Sequence, residues 1–245
     1  EAHAALDQAR AQLQRALNAE FTREVFFTGC GSESDNWAIL GAALAQRDKR
    51  HIITTKVEHH AVLKPCEFLK EFGYEITYLD VDEYGMVNPQ SVRAAIREDT
   101  ALVSIMFANN EVGTINPIRE IGAVAREAGV LFHTDAVQAA GHLPIDVQQA
   151  NVDFLSISAH KFHGPKGIGV LYVRDGLRLM DFMDGGAQER GRRAGTENVA
   201  AIVGMGCAME LAMRELPEEA ERICGLRDHM MRRILQEIPG AQING

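Results

Sequence analysis

Lys161 stands in the string Ser158-Ala159-His160-Lys161-Phe162-His163-Gly164, directly after the apolar run Phe154–Ser158. A lysine at the end of a strand is usually a solvated loop residue. In a partly buried site its amine loses its charge more readily and condenses with carbonyls to a Schiff base. The flanking Ser158, His160 and glycine turn favour that second reading. Asp135 closes another apolar run, Leu131-Phe132-His133-Thr134-Asp135. An acid there is often a helix N-cap. A buried carboxylate in the same place can instead keep an aromatic ring nitrogen protonated. Gln138 follows three residues later on one face of a short turn, within reach of a ring oxygen.

Other residues join these two. Gly29-Cys30-Gly31-Ser32 links a strand to a helix, and small residues let backbone amides approach an anion at a helix N-terminus. No Gly-Lys-Ser/Thr follows, so this is not a Walker loop. His59 and His60 lack a third ligand at usable spacing, which argues against zinc. A flat imidazole stacked on an aromatic ring suits one of the two, while His60 reads also as a surface cap of the next helix. Asn109-Asn110-Glu111 follow a further strand. Gly185–Asn198 is rich in glycine and arginine: either a solvated loop or an anion-contacting segment reaching across a dimer.

These residues need elements to position them, and the sequence alternates strand and helix. Glu24–Thr28, Arg50–Thr55, Tyr74–Leu79, Ala101–Ala108, Val130–Thr134, Phe154–Ser158 and Gly169–Val173 read as strands. Ser34–Gln46, Ala61–Phe72, Pro89–Arg97 and Pro117–Ala128 read as the helices between them, and Asn198–Arg214 and Glu218–Ile238 as two long helices near the end. Runs such as Ala-Leu-Val-Ser-Ile-Met-Phe-Ala mark strands covered on both faces. The pattern predicts an α/β fold with a mostly parallel sheet, helices on both faces, and an antiparallel turn between the last two strands. In such sheets ligands bind beyond the strands' carboxyl ends, where Asn110, Asp135 and Lys161 all fall.

Composition narrows the function. The chain has 245 residues, 46% apolar, enough for a sizeable core. A net charge of −9 argues against a nucleic-acid footprint. No apolar run approaches the roughly 20 residues that span a bilayer. The four cysteines are scattered, with no C-x-x-C pair, so free thiols in a reducing cytoplasm are the default. Residues 1–20 read as a helix rather than a signal peptide, and the chain opens inside that helix without an initiating methionine, which suggests a piece of a longer protein.

Six segments together resemble the cysteine desulfurases of the class V aminotransferase group: FTGCGSESDNWAI, VEHHAVL, MFANNEVGTINPI, HTDAVQAAG, SISAHKFHGPKGIG and GGAQERGRRAGTENVA. They run in order over nearly the whole chain, and the last is most similar to the nitrogen-fixation type that feeds iron–sulfur clusters. The resemblance implies the large domain of a fold type I pyridoxal 5′-phosphate (PLP) enzyme, with a seven-stranded sheet. It implies a PLP-binding domain over 1–210, with 211–245 as a linking helix and the start of a small domain.

Position by position, the resemblance implies Lys161 as the Schiff-base lysine, Asp135 as the ring-nitrogen partner, Gln138 at the ring hydroxyl and His59 stacked on the ring. Ser32, Ser158 and His160 would contact the phosphate, with Gly31 giving backbone and Thr196 acting from the neighbouring subunit of a homodimer. Asn110 would lie near the substrate carboxylate. Gly31-Ser32 stands where many relatives have Ala-Thr, which keeps the hydroxyl. Implied too are L-cysteine as substrate, a persulfide formed on an enzyme cysteine, and an iron–sulfur scaffold protein as sulfur acceptor. None of Cys30, Cys66, Cys207 and Cys224 lies in a context matching the persulfide cysteine, which is expected outside these residues. A selenocysteine lyase, an aminotransferase, or a silent PLP-binding or dimerising fragment are the other readings.

Overall fold

The computed structural model describes all 245 residues. Seven strands form one sheet: β1 (Val25–Thr28), β2 (His51–Thr55), β3 (Glu75–Leu79), β4 (Thr100–Ser104), β5 (Leu131–Asp135), β6 (Phe154–Ser158) and β7 (Gly169–Val173). Their spatial order is β1-β7-β6-β5-β4-β2-β3. The pairs among β2 to β6 are parallel, and β7 alone runs against its neighbours. The reason is length. Residues 159–168 are too few for a helical crossover, so β7 can only turn back on β6.

The expected β-α alternation is present, and helices cover both faces. Side chains alternate along each strand: Phe26, Ile52, Leu102, Phe154 and Leu171 enter one core, and Phe27, Ile53, Val103, Leu155 and Val170 the other. Helices α2 (Gly31–Ala45) and α3 (His60–Lys70) close the first. Helices α1 (Ala2–Leu17), α4 (Pro89–Ala95), α5 (Ile118–Glu127) and the front of α6 (Val199–Glu237) close the second.

Two readings change. Strand β4 ends at Ser104, not Ala108; beyond it the chain still follows β5, with Ile105 N–H donating to His133 and Phe107 N–H to Asp135. The two terminal helices are one, α6, with Pro217 inside it. Proline removes one amide donor and normally breaks a helix. Here the surrounding residues are exposed, so water can satisfy the freed carbonyl. From residue 214 onward α6 stands away from the core, leaving Ile223, Leu226, Met230 and Ile234 exposed. No helix is long and apolar enough to cross a membrane.

Candidate active site

Strand β6 ends at Ser158 and the chain passes at once into a tight 3-10 turn, Ala159–Phe162. Phe162 is buried and anchors the turn. Gly164 closes it: a Cβ there would lie 2.9 Å from the Ala159 carbonyl oxygen, to which Gly164 N–H donates. His142 Nε2 meets the Lys161 carbonyl at 2.9 Å and pins the lysine backbone. The Lys161 side chain is exposed at the cavity, not partly buried as expected, because only its backbone is anchored.

Next to β6, Asp135 ends β5 at 5% exposure. Its Oδ1 accepts from Val137 N–H at 2.9 Å, so the carboxylate does serve a local turn, though it caps no helix. Its Oδ2 makes no hydrogen bond within the chain. Burial first, and Asp35 next, push the Asp135 carboxyl up to about 7. Behind it runs a buried chain of Ser104, His133 and Ser156: His133 Nδ1 meets Ser104 Oγ at 2.8 Å and its Nε2 meets Ser156 Oγ at 3.0 Å.

The opposite wall is the start of α2, capped at Cys30. The first amides of a helix have no intrahelical acceptor and face outward. Glu33 holds the turn from both sides, accepting from Gly29 N–H at 2.9 Å and pairing with Arg193 at 2.7 Å. Gly31 must be small, since a Cβ would lie 2.7 Å from Val137 Cγ2. Ser158 Oγ lies 2.9 Å from His160 Nδ1, on the same side.

His59, not His60, is the capping histidine: its Nδ1 accepts from Ala61 N–H at 3.1 Å at the head of α3. A neutral His59 therefore carries its proton on Nε2. Glu58 beside it is buried, accepting from Met106 N–H at 2.9 Å and Thr55 Oγ at 3.0 Å. Burial pushes the Glu58 carboxyl up to about 8.

These walls enclose a cavity of about 300 Å³. Gly31, Ser32, His59, Asn110, Asp135, Gln138, Ser158, His160 and Lys161 all line it. Thr196 does not; it lines a separate hollow with Thr28, Glu189 and Arg193. Asp35 is the residue missed: a buried acid one helical turn after Gly31 on the same face of α2. The i, i+4 spacing from Gly31 was the available signal.

One end of this cavity offers amides, hydroxyls and an imidazole to an anion. The wall opposite offers a carboxyl lacking a cation, and Lys161 offers an amine. A phosphorylated pyridine aldehyde meets each of these demands, so the residues fit PLP. The sheet and this site together define the large domain of a fold type I PLP enzyme. The chain belongs to the class V aminotransferase family, whose model matches residues 1–245. It is 54% identical to the cysteine desulfurase IscS of Clostridium botulinum over 98% of this chain and 61% of that one. Among solved structures it is similar to a NifS-like protein, with TM-score 0.93 and 41% identity over 96% of this chain and 65% of that one. It is similar also to SspA in complex with cysteine, with TM-score 0.82 and 46% identity over 85% and 61%. The chain spans about three fifths of the length of the curated relatives it matches.

Proposed function

We propose that the protein is a PLP-dependent cysteine desulfurase and that these residues form its cofactor-holding half. The carrying observation is the cavity in which Lys161 stands with an anion-accepting helix end on one wall and a buried, cation-free Asp135 on another. Lys161 would hold the cofactor through its amine, Asp135 its ring nitrogen, and Ser32, Ser158, His160 and the Gly31 backbone its phosphate. His59 would cover the ring face, and Gln138 would meet the ring oxygen. Bound there, PLP supplies a conjugated cation that spreads negative charge left at the substrate Cα.

The chain's own groups do the rest. Asn110 at the cavity rim would orient the substrate carboxylate. Lys161 Nζ, exposed at the cavity beyond its pinned backbone, would carry a proton to and from the reacting carbon. Cys30 is the thiol in the cavity wall, and it sits at the phosphate turn. That position suits a persulfide nucleophile poorly, so we assign the sulfur-accepting thiol elsewhere in the full protein.

L-Cysteine as substrate is supported by the names of the relatives and by the solved SspA complex with cysteine. Delivery to an iron–sulfur scaffold protein, as in a nitrogen-fixation-type system, follows the IscS and NifS-like likeness. A homodimer is supported by Thr196, which stands apart from its own chain's Lys161 and so is free to serve a neighbour's phosphate. We read 1–210 as the cofactor domain and 211–245 as the link to a small domain. Four free cysteines suit a reducing cytoplasm.

The test is to add PLP to the chain and record its visible absorption. A band is expected, with borohydride fixing the cofactor to the peptide that contains Lys161, and neither is expected in Lys161→Ala. A folded chain that stays colourless overturns the assignment.

A further inference from the structure

Beside Asp135 the cavity wall carries a second carboxyl that no step above uses. Asp35 is 1% exposed, and its Oδ1 has no hydrogen-bond partner. His133 Nε2 lies 3.5 Å away, but both nitrogens of that ring are already engaged by Ser104 and Ser156. Burial drives His133 down to about 4, so it brings no charge at neutral pH. Neither Asp35 nor Asp135 pairs with a lysine or arginine.

The titratable groups around the two are Glu58 and His59 between β2 and α3, Cys30 at the head of α2, and His160 and Lys161 after β6. Glu58 turns to Met106 and Thr55 and keeps its proton through neutral pH. Two unpaired carboxyls in one low-dielectric space do not ionise together; the first charge raises the cost of the second.

We propose that Asp35 and Asp135 titrate as one pair sharing a proton while the cavity is empty, and that Asp35 keeps this proton once a cationic ring nitrogen engages Asp135. Asp35 is then a positioning residue, acting through the charge state of Asp135. The proposal rests on the cofactor reading above. A single ring cation balances a single carboxylate, and Asp135 is the one already oriented by Val137 N–H. A second charge on Asp35 would stand beside a neutral His133, with the Ser156 hydroxyl and no cation to meet it.

The experiment is carbon-13 carboxyl NMR of the whole chain, titrated between about pH 5 and pH 9. The wild type should show broad, two-step curves at both carboxyls. In Asp35→Asn the Asp135 curve should become a single step, its midpoint lower by roughly one pH unit. Asp135→Asn should do the same to Asp35. With saturating pyridoxine 5′-phosphate, which has no aldehyde to bond Lys161, Asp135 should stay ionised and Asp35 protonated at neutral pH. An Asp135 curve unchanged by Asp35→Asn, or an ionised Asp35 in that complex, overturns the proposal. If Asp35→Asn does not fold, the wild-type curves and the reciprocal variant decide. A chain with coupled carboxyls that binds no pyridoxine phosphate keeps the pair and overturns the cofactor reading instead.

Discussion

Asp135 serves a turn with Oδ1 and leaves Oδ2 for the ligand proposed above, so substitution can separate the two roles. Asp135→Ala loses one Asx-turn bond, worth about 1 kcal/mol, and also removes a buried acid. Folding should persist, seen by circular dichroism, while PLP loading falls sharply. Wholesale unfolding would mean that the turn is the larger role. The pH dependence of stability follows from the buried groups. Asp35, Glu58 and Asp135 rise from 3.8, 4.5 and 3.8 to about 7, 8 and 7, so the folded chain binds more protons than the unfolded one across that interval. Stability is therefore lost as pH climbs from about 4 to about 8. His133, lowered from 6.5 to about 4, acts the other way, its stability lost as pH falls through that interval. The raised acids, Asp153 among them, outweigh the lowered His51 and His133 and leave the empty chain more stable near pH 5 than near pH 8. Melting temperatures across this range test the sign. Saturating pyridoxine phosphate should flatten the slope by giving Asp135 its cation.

Helix α2 forms the wall proposed to meet the phosphate, and its fit depends on Gly31. In Gly31→Ala the new methyl meets Val137 Cγ2 at 2.7 Å and Ser158 Cβ at 3.3 Å. Loss of phosphate-end affinity by tenfold or more is expected in a PLP titration, since the wall must shift by several tenths of an ångström. At α6, Pro217→Ala should increase amide protection around residue 217, read by hydrogen exchange, by restoring a donor and relieving a cost of up to about 3 kcal/mol. The strands and most helices were legible from apolar runs, glycines and prolines to within a few residues. Pro217 misled because a breaker in an exposed stretch need not break. The candidate site was legible where chemistry follows a strand: Asp135 ends β5 and Lys161 stands in the turn after β6, whereas Asn110 lies six residues past β4 and only the resemblance singled it out from Asn109 and Glu111. Asp35 and His133 were hidden, since a buried acid inside a helix and a histidine inside a strand carry no local punctuation. Which histidine caps α3 depends on one side-chain torsion, which no spacing reveals.

At the scale of the molecule, the segment after Phe182 is tied to the fold by a buried ion pair. Arg10 of α1 grips Glu189 with two bonds, at 2.8 and 2.9 Å, and Phe27 N–H donates to the same carboxylate at 3.0 Å. Glu189 and Arg190 both hold positive φ, of 43° and 60°, a strain the surrounding contacts must sustain. Glu189→Ala leaves Arg10 charged with only its bond to the Val25 carbonyl; a loss of about 3–5 kcal/mol is expected from urea midpoints. The outer half of α6 presents Ile223, Leu226, Met230 and Ile234 along one stripe. The chain should therefore bind a hydrophobic dye, and Leu226→Glu with Ile234→Glu should reduce that signal.

The reversed strand β7 bears on how the chain assembles itself. Each parallel pair must wait for an intervening crossover, and β1 must meet β7 across most of the chain. β6 and β7 are joined by ten residues, 159–168, a loop that closes in about 10–100 ns. Theirs is the pairing of lowest contact order in the sheet, so it should be among the earliest formed. The turn carrying Lys161 is thus built by local encounter, before the wall bearing Asp135 and the helix bearing Gly31 have arrived around it.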